Sequence, residues 1–209
     1  METLIICVLL SASIIGLTFI IERGLALRGA KIIPPAVVGA LEICRTDEDL
    51  PMLRRICEQN PSPLGRLLLL AGKHRQWPRA ENSSALETSA RHEVSRLERG
   101  LVVLEIIVGI APLLGLVGTI YGLIELFAAL GAAGLGDNNA LAHGISTALI
   151  STLFGLLTAI PSLVAWSYYS KKVESQAVEM AALCDNFLRQ LYHGEETPEA
   201  SETLARRAH

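Results

Sequence analysis

The stretch Ala111–Gly122, APLLGLVGTIYG, decides how this chain folds. It lies in a run without charge between Glu105 and Glu125, which is long enough to form a helix in lipid. A helix that only had to sit in lipid would use leucine and valine throughout. Instead, residues that share one helix face are small or carry a hydroxyl: Gly115, Gly118, Thr119 and Gly122. The pattern predicts that another helix comes close to this face or moves along it.

Two more runs without charge occur in the chain, Thr3–Ile21 and Gly144–Tyr169. Because the hydrocarbon core of a bilayer is roughly 30 Å thick and needs about 20 helical residues, each run can cross it. A signal peptide is the alternative for the first run, but only Met1 and Glu2 precede it, without a basic segment. The sequence therefore predicts an all-α integral membrane protein with three transmembrane helices.

The basic residues predict its orientation. Of the 18 Lys and Arg, 13 lie between Arg23 and Arg99 and 5 between Lys171 and Arg207. Basic residues favour the cytoplasmic side of a membrane. We therefore expect a periplasmic N-terminus and a cytoplasmic C-terminus, with the segment between the second and third spans outside.

Composition and motifs argue against several other classes of protein. The formal net charge of −3 does not suit nucleic-acid binding, and the mean hydropathy is +0.41. The four cysteines and five histidines match no metal-ligand spacing, and the sequence has no phosphate loop and no Ser/His/Asp signature. We expect neither catalysis nor a metal or cofactor.

Apolar positions at steps of three and four predict a long helical stalk. One such series, which includes Ala90, Val94 and Leu97, runs into the second span, and another starts at Val173 after the third. We expect the second and third helices to extend into the cytoplasm and to pack there. The predicted segments are a first transmembrane helix (1–22), a cytoplasmic helical region (23–100), a second transmembrane helix (101–126), a periplasmic loop (127–143), a third transmembrane helix (144–169), a cytoplasmic helix (170–193) and a disordered tail (194–209).

The third span has a polar face of its own. Hydroxyl and small residues recur on one side of this apolar helix: Thr147, Ser151, Gly155, Thr158 and Ser162. Such residues are common where membrane helices pack closely, so packing explains each of them singly. Taken together with Thr152 beside this face and Thr119 on the second span, they favour a shared polar path.

Three segments resemble the MotA/TolQ/ExbB family of ion-channel subunits: IIERGLALRGAKIIPP, APLLGLVGTIYGLIELF and GISTALISTLFGLLTAIP. Three spans with an outer N-terminus look most like the ExbB/TolQ branch. The resemblance implies a homopentamer around a dimer of single-span ExbD/TolR-type partners, each with a membrane aspartate, and a TonB- or TolA-like protein as a further partner. It implies an inner-membrane stator that uses the proton motive force to drive work in the periplasm or at the outer membrane.

The resemblance also assigns roles to residues. Thr119 and Thr152 match the family threonines that line the ion path, with Thr147 and Ser151 beside them. The resemblance makes the following residues packing positions against a partner or neighbouring protomer: Pro112, Gly115, Gly118, Gly122, Gly155 and Pro161. ExbB-type proteins often have a glutamate at the position of Thr147. Since the second and third hydrophobic cores have no Asp, Glu, Lys, Arg or His, a proton carrier that titrates at mid-membrane must come from the partner.

Three points stay open at the level of sequence. Glu105, about 21 Å before Thr119 along the helix, is either a marker of the interface or an acidic cytoplasmic exit. A non-conducting scaffold of the same architecture is the alternative to the stator, whereas a secondary transporter would show internal repeats. The sequence does not identify the system that the chain energises, which could be TonB-type uptake, Tol–Pal, gliding or secretion. It also does not decide whether the ion is H⁺ or Na⁺.

Overall fold

A computed structural model describes residues 2–44, 49–133 and 138–192, and these residues form helices without any strand. The helices are α1 (Glu2–Ala26), α2 (Gly29–Ile32), α3 (Pro35–Ile43), α4 (Leu50–Gln59), α5 (Pro63–Lys73), α6 (Arg79–Glu98), α7 (Leu101–Ala133) and α8 (Asn138–Tyr192). Among the described residues, three of these helices are long and apolar enough to cross a membrane, in α1, α7 and α8. The predicted fold class is confirmed.

The chain divides into two compact units. Unit 1 comprises Met1–Leu25 and Glu98–Lys171, and therefore holds α1, α7 and most of the apolar part of α8. Unit 2 comprises Ala26–Leu97 and Lys172–His209, and holds α2 to α6 with the last part of α8. The predicted tail at 194–209 lies outside the described residues.

Unit 1 is held together by apolar and small residues on facing sides of its three helices. Its buried cluster joins α1, α7 and α8 through five side chains: Ile5, Leu9, Ile107, Ala111 and Ala159. Gly16 of α1 lets Ser162 of α8 approach, because a Cβ at Gly16 would lie 3.1 Å from the Ser162 hydroxyl oxygen. Near the end of α1, the Tyr169 hydroxyl donates a hydrogen bond to the carbonyl of Ile20 at 2.9 Å. The first span is thus fixed against the third along much of its length.

Unit 2 is a cluster of short helices around the apolar side of α5. Ser62 caps α5, since its hydroxyl accepts a hydrogen bond from the Gly65 amide at 3.0 Å. Arg66 of α5 binds Glu93 of α6 through two hydrogen bonds, one of 2.9 Å. The arginine holds the pKa of Glu93 below its usual 4.5, mainly by these hydrogen bonds. This pair explains how a carboxylate can lie on the inner side of α6.

A buried polar cluster joins α6 to the end of α8. The Asn82 amide donates to the carbonyl of Ala71 and to the Tyr192 hydroxyl, both at 3.0 Å. The Tyr192 hydroxyl in turn donates to the carbonyl of Trp77 at 2.9 Å. Because Asn82 is fully buried, these bonds offset the cost of removing its amide NH₂ group from water.

The helix limits differ from the predicted ones in two places. The segment predicted as a loop, 127–143, is helical over 127–133 and 138–143, because alanine-rich sequence continues the spans; residues 134–137 lie outside the described part. The helix before the second span is interrupted at Arg99–Gly100, between α6 and α7. Glycine disfavours helix, and the Arg23 side chain occupies the place where a Cβ of Gly100 would lie.

The predicted stalk seams differ in how well they match the structure. The α8 series is buried at Val173, Met180, Cys184 and Phe187. On α6 the predicted residues are only half-buried, and the fully buried ones lie on a shifted side: Asn82, Leu86 and Glu93. The hydrogen bonds of Asn82 and Glu93 explain this shift.

Candidate functional site

The two threonines of the predicted ion path lie in contact. The hydroxyl oxygens of Thr119 on α7 and Thr152 on α8 are 3.4 Å apart. The Thr119 hydroxyl donates to the carbonyl of Leu116 at 2.7 Å, and the Thr152 hydroxyl donates across the helix interface to the carbonyl of Gly115 at 3.2 Å. Both side chains are half-buried, so the pair lies at an edge of the interface and not in its centre.

Glycines make this contact possible. A Cβ on Gly155 would lie 2.7 Å from the carbonyl oxygen of Ala111 and 3.1 Å from the Gly115 Cα, which is too close for carbon. A Cβ on Gly115 would lie 3.0 Å from the Ser151 carbonyl oxygen and 3.0 Å from the Thr152 Cα. Only glycine at both positions lets the two backbones approach so closely.

Ser151 is packed beneath the second glycine of the face. A Cβ on Gly118 would lie 2.6 Å from the Ser151 Cβ, and the serine is almost completely buried. Its hydroxyl points back to its own helix, 3.4 Å from the carbonyl of Thr147. Thr147 itself is half-buried. Of the predicted path residues, the structure thus brings Thr119 and Thr152 together at the interface edge and places Ser151 inside it.

Within one chain, α7 and α8 present their glycine faces to each other. Gly115 and Gly118 lie against residues of α8, and Gly155 lies against residues of α7. The packing of these glycines against a partner or a neighbouring protomer stays a prediction. The remaining packing residues vary in burial: Gly122 is buried, Pro112 is half-buried and Pro161 is exposed.

The two acidic residues at the ends of the second apolar run lie on exposed surface. Glu125 accepts a hydrogen bond from the Tyr121 hydroxyl at 2.6 Å, one helical turn away. Glu105 is exposed on α7. A cytoplasmic exit at Glu105 stays a prediction.

Sequence reasoning overlooked the part that the first helix plays. Gly16 admits Ser162, and Gly24 admits the Tyr169 hydroxyl, whose oxygen would lie 2.9 Å from a Cβ there. Through these contacts α1 supports the helix that carries Thr152. Glycines within and just after the first apolar run could have indicated this role, because a lipid-exposed helix has no need of them.

The threonine pair has a defined hydrogen-bonding character. If both hydroxyl hydrogens are directed to carbonyls, the lone pairs of the two oxygens stay available. These oxygens can then accept a hydrogen bond from water or a protonated carboxyl, or contact a cation. Threonine does not titrate in the physiological range, so the pair can guide a proton but cannot store it. No group of three or more His, Cys, Asp or Glu in the described ranges is arranged to hold a metal ion.

Comparison with known proteins identifies a family. The MotA/TolQ/ExbB proton channel family matches residues 60–182, which include the second span and Thr152. An ExbB homolog of Methanothermobacter thermautotrophicus, named for biopolymer transport, is 34% identical over 148 residues; the match covers 70% of this chain and 52% of that protein, so the chain spans about half the length of this relative.

Two bacterial relatives are matched over more of their length. An ExbB-like protein of Synechocystis, also named for biopolymer transport, is 33% identical over 193 residues, covering 88% of this chain and 73% of the relative. The Tol-Pal system protein TolQ of Pseudomonas aeruginosa is 29% identical over 198 residues, covering 88% of this chain and 84% of the relative. The chain therefore belongs to the MotA/TolQ/ExbB proton channel family.

Proposed function

We propose that this chain is the stator subunit of an inner-membrane ion channel that couples the proton motive force to biopolymer transport or to envelope maintenance. The observation that carries the proposal is the Thr119–Thr152 contact, in which two hydroxyls meet at the edge of an otherwise apolar interface. Family membership supports an ion-conducting role, and relatives named ExbB and TolQ support these two kinds of work.

The proton carrier in this proposal belongs to a second polypeptide. The apolar stretches around Thr119 and Thr152 contain no Asp, Glu, Lys, Arg or His, because such residues are costly in the bilayer. We propose an ExbD/TolR-type dimer, each chain with one span and a membrane aspartate, enclosed by five copies of this chain. A TonB- or TolA-like protein would receive the work.

The proposed topology follows the basic residues and the three apolar helices. The N-terminus and the connection between α7 and α8 face the periplasm, and unit 2 lies in the cytoplasm. Unit 2 contains the long basic segment, which the positive-inside rule keeps on that side.

Ion flux through the reconstituted complex tests the proposal. This chain would be co-expressed with a form of its candidate partner that lacks any plug segment. The complex would be placed in liposomes, and their internal pH would be followed under an imposed potential. We expect Thr119→Val and Thr152→Val to lower H⁺ or Na⁺ flux about three- to twentyfold, the equivalent of one hydrogen bond in a membrane. Changing the partner's aspartate to asparagine should abolish the flux.

Thr18→Val is the matched control. The Thr18 hydroxyl donates to the carbonyl of Ile14 in its own helix at 2.8 Å, and it is exposed on α1, which carries neither of the two polar faces. Its loss should leave the flux unchanged. If all three threonine variants conduct equally, the Thr119–Thr152 pair has no role in conduction.

A non-conducting scaffold is the second candidate function. It is favoured by the packing of Gly115, Gly118 and Ser151 within one chain, and by Thr147 at the position of the glutamate found in many ExbB-type proteins. An assembled complex that passes neither H⁺ nor Na⁺ in any form would establish this role and refute the stator.

A further inference from the structure

One edge of α7 connects the threonine pair with Glu105. Glu105, Pro112 and Thr119 are spaced by seven residues, and Gly109 lies one turn after Glu105, so all four share this edge of the helix. Glu105 and Gly109 are exposed, and Pro112 and Thr119 are half-buried. The edge carries the contact between Thr119 and Thr152, and it continues from there towards the end of α7 that the proposed topology puts in the cytoplasm.

The inner part of this edge offers a hydrogen-bond acceptor from the backbone. Pro112 has no N–H, so the carbonyl of Val108 lacks the donor that it would have in a regular helix. Gly109 beside this carbonyl has no side chain, and a Cβ there would meet no atom within 4 Å. The backbone is therefore open at the place where the proline has freed a carbonyl.

A carboxylate completes this set of acceptors. Glu105 lies four residues, or about 6 Å, inside the start of the apolar span at Leu101. A charge in this position is costly against lipid tails and calls for water or a cation. Carboxylate and carbonyl oxygens accept hydrogen bonds and can replace the hydration shell of a cation, and neither group donates. The edge therefore suits water, a hydronium ion or a sodium ion.

We propose that the edge from Glu105 to Pro112 is the cytoplasmic exit of the ion path, and that water fills it to the depth of Pro112, about 10 Å from Glu105 along the helix. In this exit Glu105 attracts the departing cation, and the carbonyl of Val108 replaces part of its hydration shell. The inference rests on the proposed function, since it names the surface by which the ion leaves the stator.

Cysteine labelling tests whether water reaches Gly109. The assembled complex would be prepared in inverted membrane vesicles with the substitution Cys7→Ser, because Cys7 is exposed whereas Cys44, Cys57 and Cys184 are buried. The probe is methanethiosulfonate-ethyltrimethylammonium, a cation that does not cross membranes. We expect it to label Gly109→Cys at least about tenfold faster than a thiol that faces lipid, because only the thiolate reacts and lipid disfavours it.

Ile110→Cys is the matched control. Ile110 lies at nearly the same depth of α7 and is 49% exposed, but it lies about 100° further around the helix, away from the edge. Its thiol should face lipid and react slowly. Equal labelling rates for Gly109→Cys and Ile110→Cys would overturn the proposal, because the edge would then be no wetter than the other side of the helix. This measurement does not depend on conduction.

Flux through the same complex tests the role of the carboxylate. Glu105→Gln removes the charge and keeps the shape, and it should lower H⁺ or Na⁺ flux about two- to fivefold, the value of an exposed ion pair. Glu98→Gln is the control, because Glu98 is also exposed but lies before the break at Arg99–Gly100, outside the apolar span. It should conduct like the unchanged complex. Equal flux through the Glu105→Gln and Glu98→Gln complexes would refute the exit.

Failure of the exit and failure of the stator give different results. If only the exit is wrong, the unchanged complex conducts, and either Glu105→Gln conducts equally well or Gly109→Cys is labelled as slowly as Ile110→Cys. If the stator itself is wrong, the unchanged complex passes neither H⁺ nor Na⁺, and the exit is refuted with it whatever the labelling rates.

Discussion

Gly155→Ala adds one methyl group at the point where α7 and α8 touch. The new Cβ would lie 2.7 Å from the Ala111 carbonyl oxygen, whereas ordinary contact begins at 3.4 Å. Since the obstacles are backbone atoms, no side-chain rotation can relieve the overlap. The two helices must move apart by roughly 0.7 Å, the difference between these distances.

The cost of this separation can be worked out from two contributions. Overpacking of a tight interface costs about 1–3 kcal/mol. The Thr152 hydrogen bond to the Gly115 carbonyl, 3.2 Å long, is stretched as well, and such a bond in a membrane is worth about 0.6 kcal/mol. We expect the free energy of unfolding to fall by about 1.5–3.5 kcal/mol, roughly a 10- to 400-fold change in the equilibrium constant.

Reversible unfolding in mixed micelles, with SDS as denaturant and circular dichroism as the signal, measures this loss. Gly109→Ala is the control, because Gly109 lies on α7, the other helix of this contact, but a Cβ there meets no atom within 4 Å. Its free energy of unfolding should stay unchanged or rise by up to about 1 kcal/mol, because alanine favours the helix over glycine. If the Gly155→Ala and Gly109→Ala variants unfold at the same SDS fraction, the close contact does not stabilise unit 1.

The further predictions concern unit 2. Arg66→Ala should lower the free energy of unfolding by about 1–3 kcal/mol in denaturant titrations, because Glu93, whose side chain is only 10% exposed, loses its main partner. The stabilisation by this pair should be complete above about pH 4.5, the ordinary pKa of the glutamate, and should be lost as the pH falls through the lowered pKa of the folded state. Glu93→Gln should remove this acid dependence. Burial raises the pKa of Cys57 to about 11 and that of Cys184 to about 12, so both thiols should react slowly with maleimide at neutral pH and much faster in denaturant. Tyr192→Phe should cost about 1–3 kcal/mol in the same titrations, since it leaves a buried amide hydrogen and a carbonyl without their partner.

Substitutions at exposed positions are the controls for the stability predictions, and reaction rates with maleimide test the thiol prediction. Arg91→Ala removes an ion pair at a side chain that is 80% exposed and should leave stability almost unchanged. Tyr168→Phe is the exposed counterpart of the tyrosine change. An Arg66→Ala loss no larger than that of Arg91→Ala, or a Tyr192→Phe loss no larger than that of Tyr168→Phe, would contradict the proposed roles. Native thiols of Cys57 and Cys184 that react as fast as in denaturant would show that they are not buried.

The spans and the position of the threonine pair follow from local regularities of the sequence. A run without charge fixes the length of a membrane helix, and the 3.6-residue period places Gly115 and Thr119 on one face. The identity of the helix that covers this face does not follow from period, because a second copy and the chain's own α8 present equally suitable small residues to it. The structure supplies that answer through the contacts of Gly155 with Ala111 and Gly115.

The interior of unit 2 was harder to predict for a related reason. A glutamate and an asparagine in a helix normally indicate its solvent side, so the apolar series containing Ala90 and Val94 was expected to face inward. Glu93 and Asn82 can be buried because they bond to Arg66 and Tyr192, and both partners are distant in sequence. Such pairing is a property of the tertiary fold, and no local pattern announces it.

The exposed Pro161 determines which surroundings its side of α8 can have in a bilayer. Proline has no N–H, so the carbonyl of Leu157, one turn earlier, cannot form its normal helical hydrogen bond. Lipid tails offer no donor, and a bare carbonyl in hydrocarbon costs several kcal/mol. This strip of the helix is therefore suited to water or to another polypeptide and unsuited to lipid, whereas the leucine-rich sides lose nothing in contact with acyl chains. A single proline thus gives the third span a preferred orientation about its own helix axis.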